Sequence, residues 1–311
     1  MKATVAGSIV MDITIYSTKH FKIIKDYFAF PFDHKIQVDK IFVEAGGSGY
    51  NVSSAITNFG NKVHLFGAIG KDTYGQIILK SMKKNKIKTD CIKIINNELT
   101  GFSLIFLYGS EKTIVTYRGA NNYLSEEDLI ESKIKNSDIF LFTSMTSNQN
   151  IKFIRKAISI GKKYGVKIFC NPSIAMVEHQ KDNLREFIRE SDFVIMNKKE
   201  ALSLTNAKDL KVAIYRLKKI SGGIPIVTAG KLGCFVYDEK IKNFKAYDVD
   251  VIDTTGAGDA FTGAFVHALY LTEDLEYSLR FANAAAAIKI SSHNRKIPSE
   301  KEVVKFMEEK S

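Results

Sequence analysis

The stretch of the chain most informative about chemistry lies near the C-terminus, at residues 253–265, which read DTTGAGDAFTGAF. Three small residues, Gly256, Ala257 and Gly258, lead into an acid, Asp259, where the apolar spacing becomes helical. A loop without bulky side chains at a helix start exposes backbone N–H groups that bind anions such as phosphate. A carboxylate repels phosphate, but it is useful there as the proton acceptor for a hydroxyl group that attacks the phosphate. The stretch therefore predicts phosphoryl transfer with Asp259 as the base.

Two nucleotide-binding motifs and one purely structural role compete with this interpretation. A Gly-x-Gly-x-x-Gly dinucleotide motif would follow the first strand, whereas these glycines lie near the C-terminus. No Gly-Lys-Ser/Thr follows them, which excludes a Walker loop. The remaining alternative is a turn whose small residues, with Gly263, only allow a helix to pack closely on a sheet.

Residues 253–265 resemble the C-terminal signature of the ribokinase-like (PfkB) carbohydrate kinase family, and residues 46–52, GGSGYNV, resemble its first signature. In that family the glycine and asparagine positions of the first signature touch the sugar, which implies Gly47, Ser48 and Asn51 here. Ribokinases favour lysine where Ser48 stands, a departure that weakens a ribose assignment. By its residues alone, the stretch also fits a glycine-rich turn with Asn51 as a local helix cap.

Asp12 and residues 143–145 concern the phosphate acceptor. Asp12 follows the predicted first strand, where an acid can simply end the strand, and the resemblance implies that it hydrogen-bonds sugar hydroxyls. Ribokinases also use an acid from the strand end that here reads Thr-Ser-Met, and no carboxylate stands there. A nucleoside acceptor therefore stays open, as does a phosphosugar acceptor with Arg118 as its phosphate contact.

Asn197 and Glu200 form an Asn-x-x-Glu pattern at the end of a predicted strand, and this pattern matches the family. The resemblance implies that Asn197 contacts the nucleotide and that Glu200 holds Mg²⁺ through water, which suits the oxygen ligands and retained waters of this ion. An N-cap asparagine followed by a capping-box glutamate explains the same letters equally well. Spacing alone leaves both interpretations open.

The resemblance assigns the rest of the nucleotide and cation sites. Thr228 and Gly230 end another predicted strand and correspond to positions along the nucleotide phosphates. Asn283 matches a position that flanks the adenine, although a polar residue in an alanine-rich helix can also satisfy a local partner. Asp253 corresponds to a ligand of a monovalent cation such as K⁺, together with carbonyl groups of a later loop that we place at residues 291–296.

Composition and charge are those of an ordinary globular protein. The 311 residues are 45% hydrophobic and 25% charged. The formal net charge of +11 comes mostly from lysines spread along the chain, without a recognised nucleic-acid motif. No apolar run approaches the roughly 18 residues that span a bilayer. Three scattered cysteines, Cys91, Cys170 and Cys234, favour reduced thiols, so we expect a cytoplasmic protein that binds neither nucleic acid nor membrane.

Short apolar runs rich in β-formers alternate with helical patterns over most of the chain. The predicted strands are 3–7, 63–69, 138–143, 166–170, 192–196, 225–229 and 233–237, and the predicted helices are 50–60, 73–85, 149–164, 208–221, 258–270 and 274–290. Such alternation predicts an α/β fold with a mostly parallel sheet between two helical layers. Residues 13–45 and 100–118 hold only strand patterns, including 101–108 and 113–117 around a turn at 109–112, and predict a small separate sheet.

The resemblance implies one ribokinase-like kinase domain over residues 1–311, a three-layer sandwich with the small sheet as a lid over the substrate. It implies transfer of the γ-phosphoryl group of ATP, with Mg²⁺, to a hydroxymethyl-type alcohol of a sugar. A nucleoside kinase of this family is the alternative within the class, and a non-catalytic nucleotide- or sugar-binding regulator is the alternative outside it.

The small sheet also suggests how two chains associate. Phe102, Leu104 and Phe106 stand on alternate residues of one predicted strand, so a sheet this small would expose an apolar face and unpaired edges. Packing against the same face of a second chain would cover both, and relatives in the family often pair in this way. We therefore expect a homodimer formed through the lid.

Overall fold

The computed structural model of the chain describes residues 1–17, 21–25, 27–108, 111–292 and 297–310. Over these residues the strands are β1 Lys2–Ala6, β2 Val10–Tyr16, β3 Lys22–Ile24, β4 Tyr27–Ala29, β5 Lys40–Gly46, β6 Lys62–Gly70, β7 Ile92–Ile95, β8 Gly101–Tyr108, β9 Glu111–Tyr117, β10 Ile139–Phe142, β11 Lys167–Cys170, β12 Phe193–Asn197, β13 Ile224–Thr228, β14 Cys234–Asp238 and β15 Lys240–Phe244. The helices are α1 Ser48–Asn58, α2 Thr73–Lys84, α3 Glu131–Lys135, α4 Asn148–Lys163, α5 Ile174–His179, α6 Lys181–Glu190, α7 Lys198–Thr205, α8 Leu210–Ile220, α9 Ala257–Thr272, α10 Leu275–Ser291 and α11 Glu300–Glu309. No helix within these described ranges has both the length and the apolar character needed to cross a membrane.

A nine-stranded sheet runs through the described chain in the order β15-β14-β13-β12-β11-β10-β1-β6-β7. The strands from β13 to β7 pair in parallel, and β14 and β15 continue the sheet as an antiparallel edge. A central strand such as β10, with the sequence IFLF, is apolar and buried at every position. Continuous apolar runs of this kind are required where both faces of a parallel sheet are covered.

The strand side chains alternate between two hydrophobic cores, one on each face of the large sheet. On one face Leu141 and Phe169 pack with apolar residues of α1, α2, α9, α10 and α11. On the other face Phe140, Phe142 and Ile168 pack with apolar residues of α3 through α8. The predicted three-layer α/β sandwich with a mostly parallel sheet is therefore confirmed.

The predicted elements agree closely with this architecture. Each predicted strand of the large sheet is confirmed with both ends within one residue, and each predicted helix with both ends within two residues. The sequence patterns missed α3, α5, α6 and α11, the strands β3, β4, β7 and β15, and all of α7 except its start. In α6 only Leu184, Phe187 and Ile188 are buried, so its apolar stripe covers little more than one turn of a mostly polar helix.

A separate four-stranded sheet has the order β5-β2-β8-β9 and is called the small sheet below. β2 pairs in parallel with β8, and the other two pairs are antiparallel. The small sheet begins earlier and ends later in the first segment than predicted, at Val10 and Gly46. Glu111 and Lys112 belong to β9 instead of the predicted turn, because their pairing with β8 continues to its last residues. Residues 109 and 110 of that turn lie outside the described residues.

The contact between α1 and α9 leaves no room for a side chain at Gly263. A methyl group at this position would lie 2.4 Å from Cβ of Ala55, a fully buried residue of α1. With a larger side chain at either position, α1 and α9 could not approach each other this closely.

This contact yields a stability prediction with an unusual sign. Replacing glycine by alanine within a helix normally stabilises it by about 1 kcal/mol, but overpacking a full core costs roughly 1–3 kcal/mol. We expect Gly263→Ala to lower the free energy of unfolding, as measured by urea denaturation. The double variant Ala55→Gly/Gly263→Ala restores the missing space and should be more stable than the two single changes added together. A Gly263→Ala protein as stable as the parent, or more stable, would show that the two helices can move apart freely.

Candidate active site

A cavity of about 680 Å³ lies between the small sheet, α1 and the start of α9. Four predicted site residues from distant stretches of the sequence line it: Asp12, Asn51, Gly256 and Asp259. Glu44 of the small sheet and Lys289 of α10 also line it. The small sheet thus supplies one wall of the cavity, and two helix starts supply the other. Its polar lining suits a ligand that carries several hydroxyl groups.

The start of α9 has the geometry expected of an anion-binding loop. Gly256 is its N-cap residue and has a left-handed backbone with φ 73°, which favours glycine. The N–H of Ala257 donates to the carbonyl of Thr254 at 3.3 Å, so this donor serves the turn. Gly258 is exposed, and a Cβ at this position would have open space around it. Because a glycine N-cap brings no side-chain acceptor, the helix start stays accessible to a ligand.

Asp259 occupies the first turn of α9, and its carboxylate accepts a hydrogen bond from Nδ2 of Asn51 at 3.0 Å. Burial raises the pKa of Asp259 to about 6, and the negative charge of Asp12 adds to this rise. The bond from Asn51 and the positive charges of Lys289 and Lys112 act in the opposite direction and lower the pKa. A carboxyl group that titrates near neutral pH is suited to accept a proton.

The glycine-rich start of α1 is built by close backbone contacts. Gly47 is the N-cap residue with φ 89°, and a Cβ there would lie 2.6 Å from the carbonyl oxygen of Ser8. Oγ of Ser48 lies 2.5 Å from Oγ1 of Thr143 and 3.2 Å from Oγ of Ser8, so its hydroxyl group joins three neighbouring segments. Asn51 is not a local helix cap, since its amide reaches Asp259 instead.

Asp12 does not end the first strand, which corrects its predicted place. β1 ends at Ala6, and Asp12 is the third residue of β2, where it pairs in register with Glu44 and Ser103 of the small sheet. Gly46 makes room for the acid, because a Cβ on Gly46 would lie 1.9 Å from Oδ2 of Asp12. The chain changes sheets between β1 and β2, and this change is what brings the carboxylate into the cavity.

Asn197 and Glu200 form the capping box that the sequence left open. Oδ1 of Asn197 accepts from the N–H of Glu200 at 2.9 Å, and Oε2 of Glu200 accepts from the N–H of Asn197 at 2.8 Å. Glu200 is only 7% exposed, and burial raises its pKa to about 7, with a further rise from the charge of Asp259. The same glutamate therefore caps α7 and lies within electrostatic reach of the predicted base.

The other predicted nucleotide residues lie along the carboxyl end of the large sheet. Thr228 pairs in register with Asn197 at the ends of β13 and β12, and Gly230 follows in a turn with φ 56° and open space around it. Asn283 is buried in α10, where Nδ2 donates to the carbonyls of Phe244 and Lys245 at 3.0 and 3.2 Å. These bonds hold the end of β15, and the role of Asn283 toward adenine stays a prediction.

Asp253 is held at the loop before α9. Its Oδ1 accepts from the N–H of Thr255 at 2.8 Å, and its own N–H donates to the carbonyl of Ile290 at 3.2 Å. The loop predicted to complete a cation site, residues 291–296, lies outside the described residues from 293 onward. The cation role of Asp253 therefore stays a prediction.

Sequence patterns missed two lysines beside the anion-binding loop. Nζ of Lys112, on the small sheet, lies 3.5 Å from Oγ1 of Thr255. Lys289 approaches Gly256, since a Cβ on that glycine would lie 3.5 Å from the Cε atom of the lysine. Both lower the pKa of Asp259. In a chain with 45 lysine and arginine residues, no local spacing distinguishes these two, and only the fold brings them to the site.

Comparison with known families decides how this geometry is classified. The family model described as pfkB family carbohydrate kinase matches residues 2–302. The chain belongs to this family. Among curated relatives, the ribokinase of Haemophilus influenzae is 33% identical over 85% of this chain and 87% of its own length. The probable fructokinase-5 of Arabidopsis thaliana is 29% identical over 86% and 89%.

The solved structures bear on the fold of this family member. A proposed ribokinase II of E. coli, solved with ATP and Mg²⁺, superposes with a TM-score of 0.85 over 99% of both chains at 22% identity. The large sheet with its helical layers and the small sheet are therefore the ribokinase-like fold that the sequence resemblance predicted.

The bond between Asn51 and Asp259 can be tested by titration. Asn51→Ala removes a donor that favours the charged carboxylate, so the pKa of Asp259 should rise above its value of about 6. Carbon-13 NMR of the carboxyl resonances would measure it, with Asp259→Asn to assign the signal. In catalysis the acid limb of the pH profile should move to higher pH by the same amount. An unchanged or lowered pKa in the Asn51→Ala protein would contradict the proposed balance of charges.

Proposed function

We propose that this carbohydrate kinase transfers the γ-phosphoryl group of ATP to a hydroxymethyl-type alcohol of a sugar. The observation that carries the proposal is the carboxylate of Asp259, held by Asn51 at 3.0 Å in the first turn of a helix whose start is open to anions. The family match, the relatives named ribokinase and fructokinase, and the similar fold solved with ATP and Mg²⁺ support it.

The proposed chemistry is direct in-line transfer. Asp259 accepts the proton of the attacking hydroxyl group, and its pKa of about 6 leaves most molecules ionised at pH 7. Backbone N–H groups in the loop from Gly256 to Asp259 hold the charge that develops on the phosphoryl oxygens. Ala257 contributes through its place in the turn, and Gly258 through the space that it leaves for the phosphate.

On the acceptor side, we assign hydroxyl recognition to Asp12 and Asn51, which both line the cavity. A carboxylate and an amide together offer acceptors and donors to neighbouring hydroxyl groups. Gly47 and Ser48 complete this side at the start of α1.

On the nucleotide side, we assign the phosphates to Asn197, Thr228 and Gly230 at the carboxyl end of the large sheet, and the adenine to the region of Asn283. Mg²⁺, when bound, neutralises phosphate charge. The buried Glu200 fits such an ion, since a carboxylate whose pKa is raised to about 7 by burial and by Asp259 gains from a nearby cation. Asp253 is our candidate ligand for a monovalent cation.

The small sheet is proposed as a lid within one kinase domain. It carries Asp12 on β2 and Lys112 on β9, and Lys112 reaches the loop before α9. A sheet that covers the cavity would exclude water, which otherwise competes as phosphoryl acceptor. The three buried cysteines, none in a disulfide, agree with our proposal that the protein works in the cytoplasm.

The proposed base is tested by Asp259→Asn, which keeps shape and hydrogen-bonding capacity but cannot accept the proton. We expect turnover to fall by roughly 10²–10⁴ while ATP binding, measured by calorimetry, persists. Asp182→Asn is the matched control, because that side chain is 96% exposed on α6. The turnover assay should offer neutral sugars, nucleosides, sugar acids and sugar phosphates as phosphate acceptors. Near-normal turnover in Asp259→Asn would rule out the role, and nucleotide binding without turnover by the parent protein would favour a regulator.

A homodimer through the small sheet remains our proposal, but we revise the residues that form its interface. Phe102 is half-buried against Tyr117, and Phe106 packs within the chain against Phe21, Phe28 and Phe30. These rings therefore do not form the freely exposed face that the sequence pattern suggested.

One cross-strand row of the small sheet does expose apolar surface on that face. The row joins Val43, Ile13, Leu104 and Val115 in register, and its two ends, Val43 and Val115, are 55% and 56% exposed. Side chains in register lie on the same face of a sheet, and β5 beside them is an edge strand. A second copy of the chain packed on this row would cover Val43 and Val115.

Light scattering tests the dimer directly. We expect a mass near twice the 34.9 kDa of one chain for the parent protein. Val43→Lys and Val115→Lys should each shift the mass toward the monomer, because a buried lysine at a two-fold contact faces its own copy. Val212→Lys, at a 42% exposed position on α8, is the control. A parent protein at the monomer mass, or a dimer that survives both changes, would contradict the proposed interface.

A further inference from the structure

Arg118 holds a positive charge among neutral partners. It follows β9, its side chain is half-buried, and Nη2 donates to Oγ of Ser144 at 3.2 Å. That hydroxyl group in turn lies 2.8 Å from Oγ of Ser173. Within the described part of the chain, no carboxylate forms an ion pair with Arg118, and burial lowers its pKa.

Glu98 is a candidate counter-charge for Arg118, because both residues line the same outer cleft of about 580 Å³. Its carboxylate is engaged elsewhere, since it accepts from the hydroxyl groups of Tyr117 at 2.6 Å and Tyr123 at 3.2 Å. The guanidinium group donates instead to the hydroxyl group of Ser144, which carries no charge.

A short series of contacts connects this guanidinium group to the acceptor side of the cavity. Ser144 directly follows Thr143, whose Oγ1 lies 2.5 Å from Oγ of Ser48. Ser48 stands one helical turn before Asn51, which holds the carboxylate of Asp259. These contacts link Arg118, which lines the neighbouring outer cleft, to the acceptor loop at the start of α1.

The main chain of Arg118 is also fixed to the strand that carries Asp12. Its carbonyl accepts from the backbone N–H of Asn121 at 3.1 Å and from Nδ2 of the same residue at 2.9 Å. The Asn121 side chain bonds the N–H and the carbonyl of Ile9, both at 2.8 Å, just before β2 begins. These bonds fix the main chain of Arg118 relative to Ile9, which stands three residues before Asp12.

Neutral hydroxyl groups compensate poorly for a guanidinium group that has lost much of its water. Residues 143–145, where the family resemblance places an acid toward the sugar, contain no carboxylate. The missing negative charge is then best supplied by the ligand. The planar fork of arginine matches a carboxylate or a phosphate group, and such charge-assisted bonds are about twice as strong as neutral ones.

We propose that the phosphate acceptor is an anionic sugar, and that Arg118 binds its carboxylate or phosphate group while the hydroxyl group at the other end faces Asp259. The proposal rests on the proposed kinase function and specifies its substrate class. A sugar acid and a sugar phosphate present the same charge chemistry to the guanidinium group, so the experiment has an arm for each.

The test compares three acceptors of equal carbon number with Mg-ATP: a neutral sugar, the corresponding sugar acid and the corresponding sugar phosphate. We expect kcat/KM to be highest for one of the two anionic acceptors. In Arg118→Gln this value should fall roughly 10- to 100-fold, as loss of a charge-assisted bond predicts, while kcat/KM for the neutral sugar falls much less and the KM for ATP stays unchanged. Arg118→Lys should restore part of the loss. Arg185→Gln, on the surface of α6, should behave like the parent protein.

Calorimetric binding of the same three acceptors gives a readout that does not need turnover. An anionic acceptor should bind more tightly than the neutral sugar, and Arg118→Gln should remove the difference. Equal binding or equal kcat/KM for neutral and anionic acceptors would overturn the inference. So would a uniform loss on all acceptors with a lowered melting temperature, which would mark Arg118 as structural. Failure of the kinase proposal itself would appear differently, as an absence of turnover that Asp259→Asn does not change.

Discussion

Asp259 places a negative charge in the first turn of α9, where the helix dipole favours it but burial and a neighbouring carboxylate oppose it. Burial and Asp12 raise its pKa to about 6, and the amide of Asn51 keeps it from rising further. Glu200 responds to the same crowding, because its pKa of about 7 includes repulsion from Asp259. The site therefore holds two carboxylates close to their titration points, and each gains stability when a cation or a proton arrives.

The hydrogen bond between Asn51 and Asp259 depends on how closely two helices pack. Ala55 lies one turn after Asn51 on α1, and Gly263 lies one turn after Asp259 on α9. Ala55 and Gly263 are in contact, and this contact leaves no room for a methyl group on Gly263. The small residue at each position sets the distance between the helix starts. Gly263, read from sequence as a packing residue, thus has a part in the chemistry, since a wider separation would lengthen the bond of 3.0 Å.

The sequence was sufficient for features that local pattern determines. Buried strands such as β10 are apolar at every position, and the loop from Gly256 to Gly258 carries its meaning in consecutive residues. Contacts between distant segments were out of reach. Asn51 and Asp259 are separated by 208 positions, and nothing in either stretch shows that the amide meets the carboxylate. Asp12 was assigned to the right cavity but to the wrong strand, because only pairing with Glu44 reveals that β2 belongs to another sheet.

The small sheet connects Asp12, on the acceptor side of the site, with Lys112 beside the anion-binding loop. Asp12 on β2 pairs with Ser103 on β8, and Ser103 pairs with Thr116 on β9, the strand that also carries Lys112. Strands linked by ladder hydrogen bonds move as a unit more readily than they separate. A ligand that holds Asp12 therefore also restrains Lys112, whose amine lies 3.5 Å from Thr255 beside the anion-binding loop. Because Lys112 lowers the pKa of Asp259, any displacement of the small sheet that withdraws this lysine makes the carboxylate harder to ionise. The position of the sheet and the protonation of the proposed base are thus coupled through one electrostatic contact.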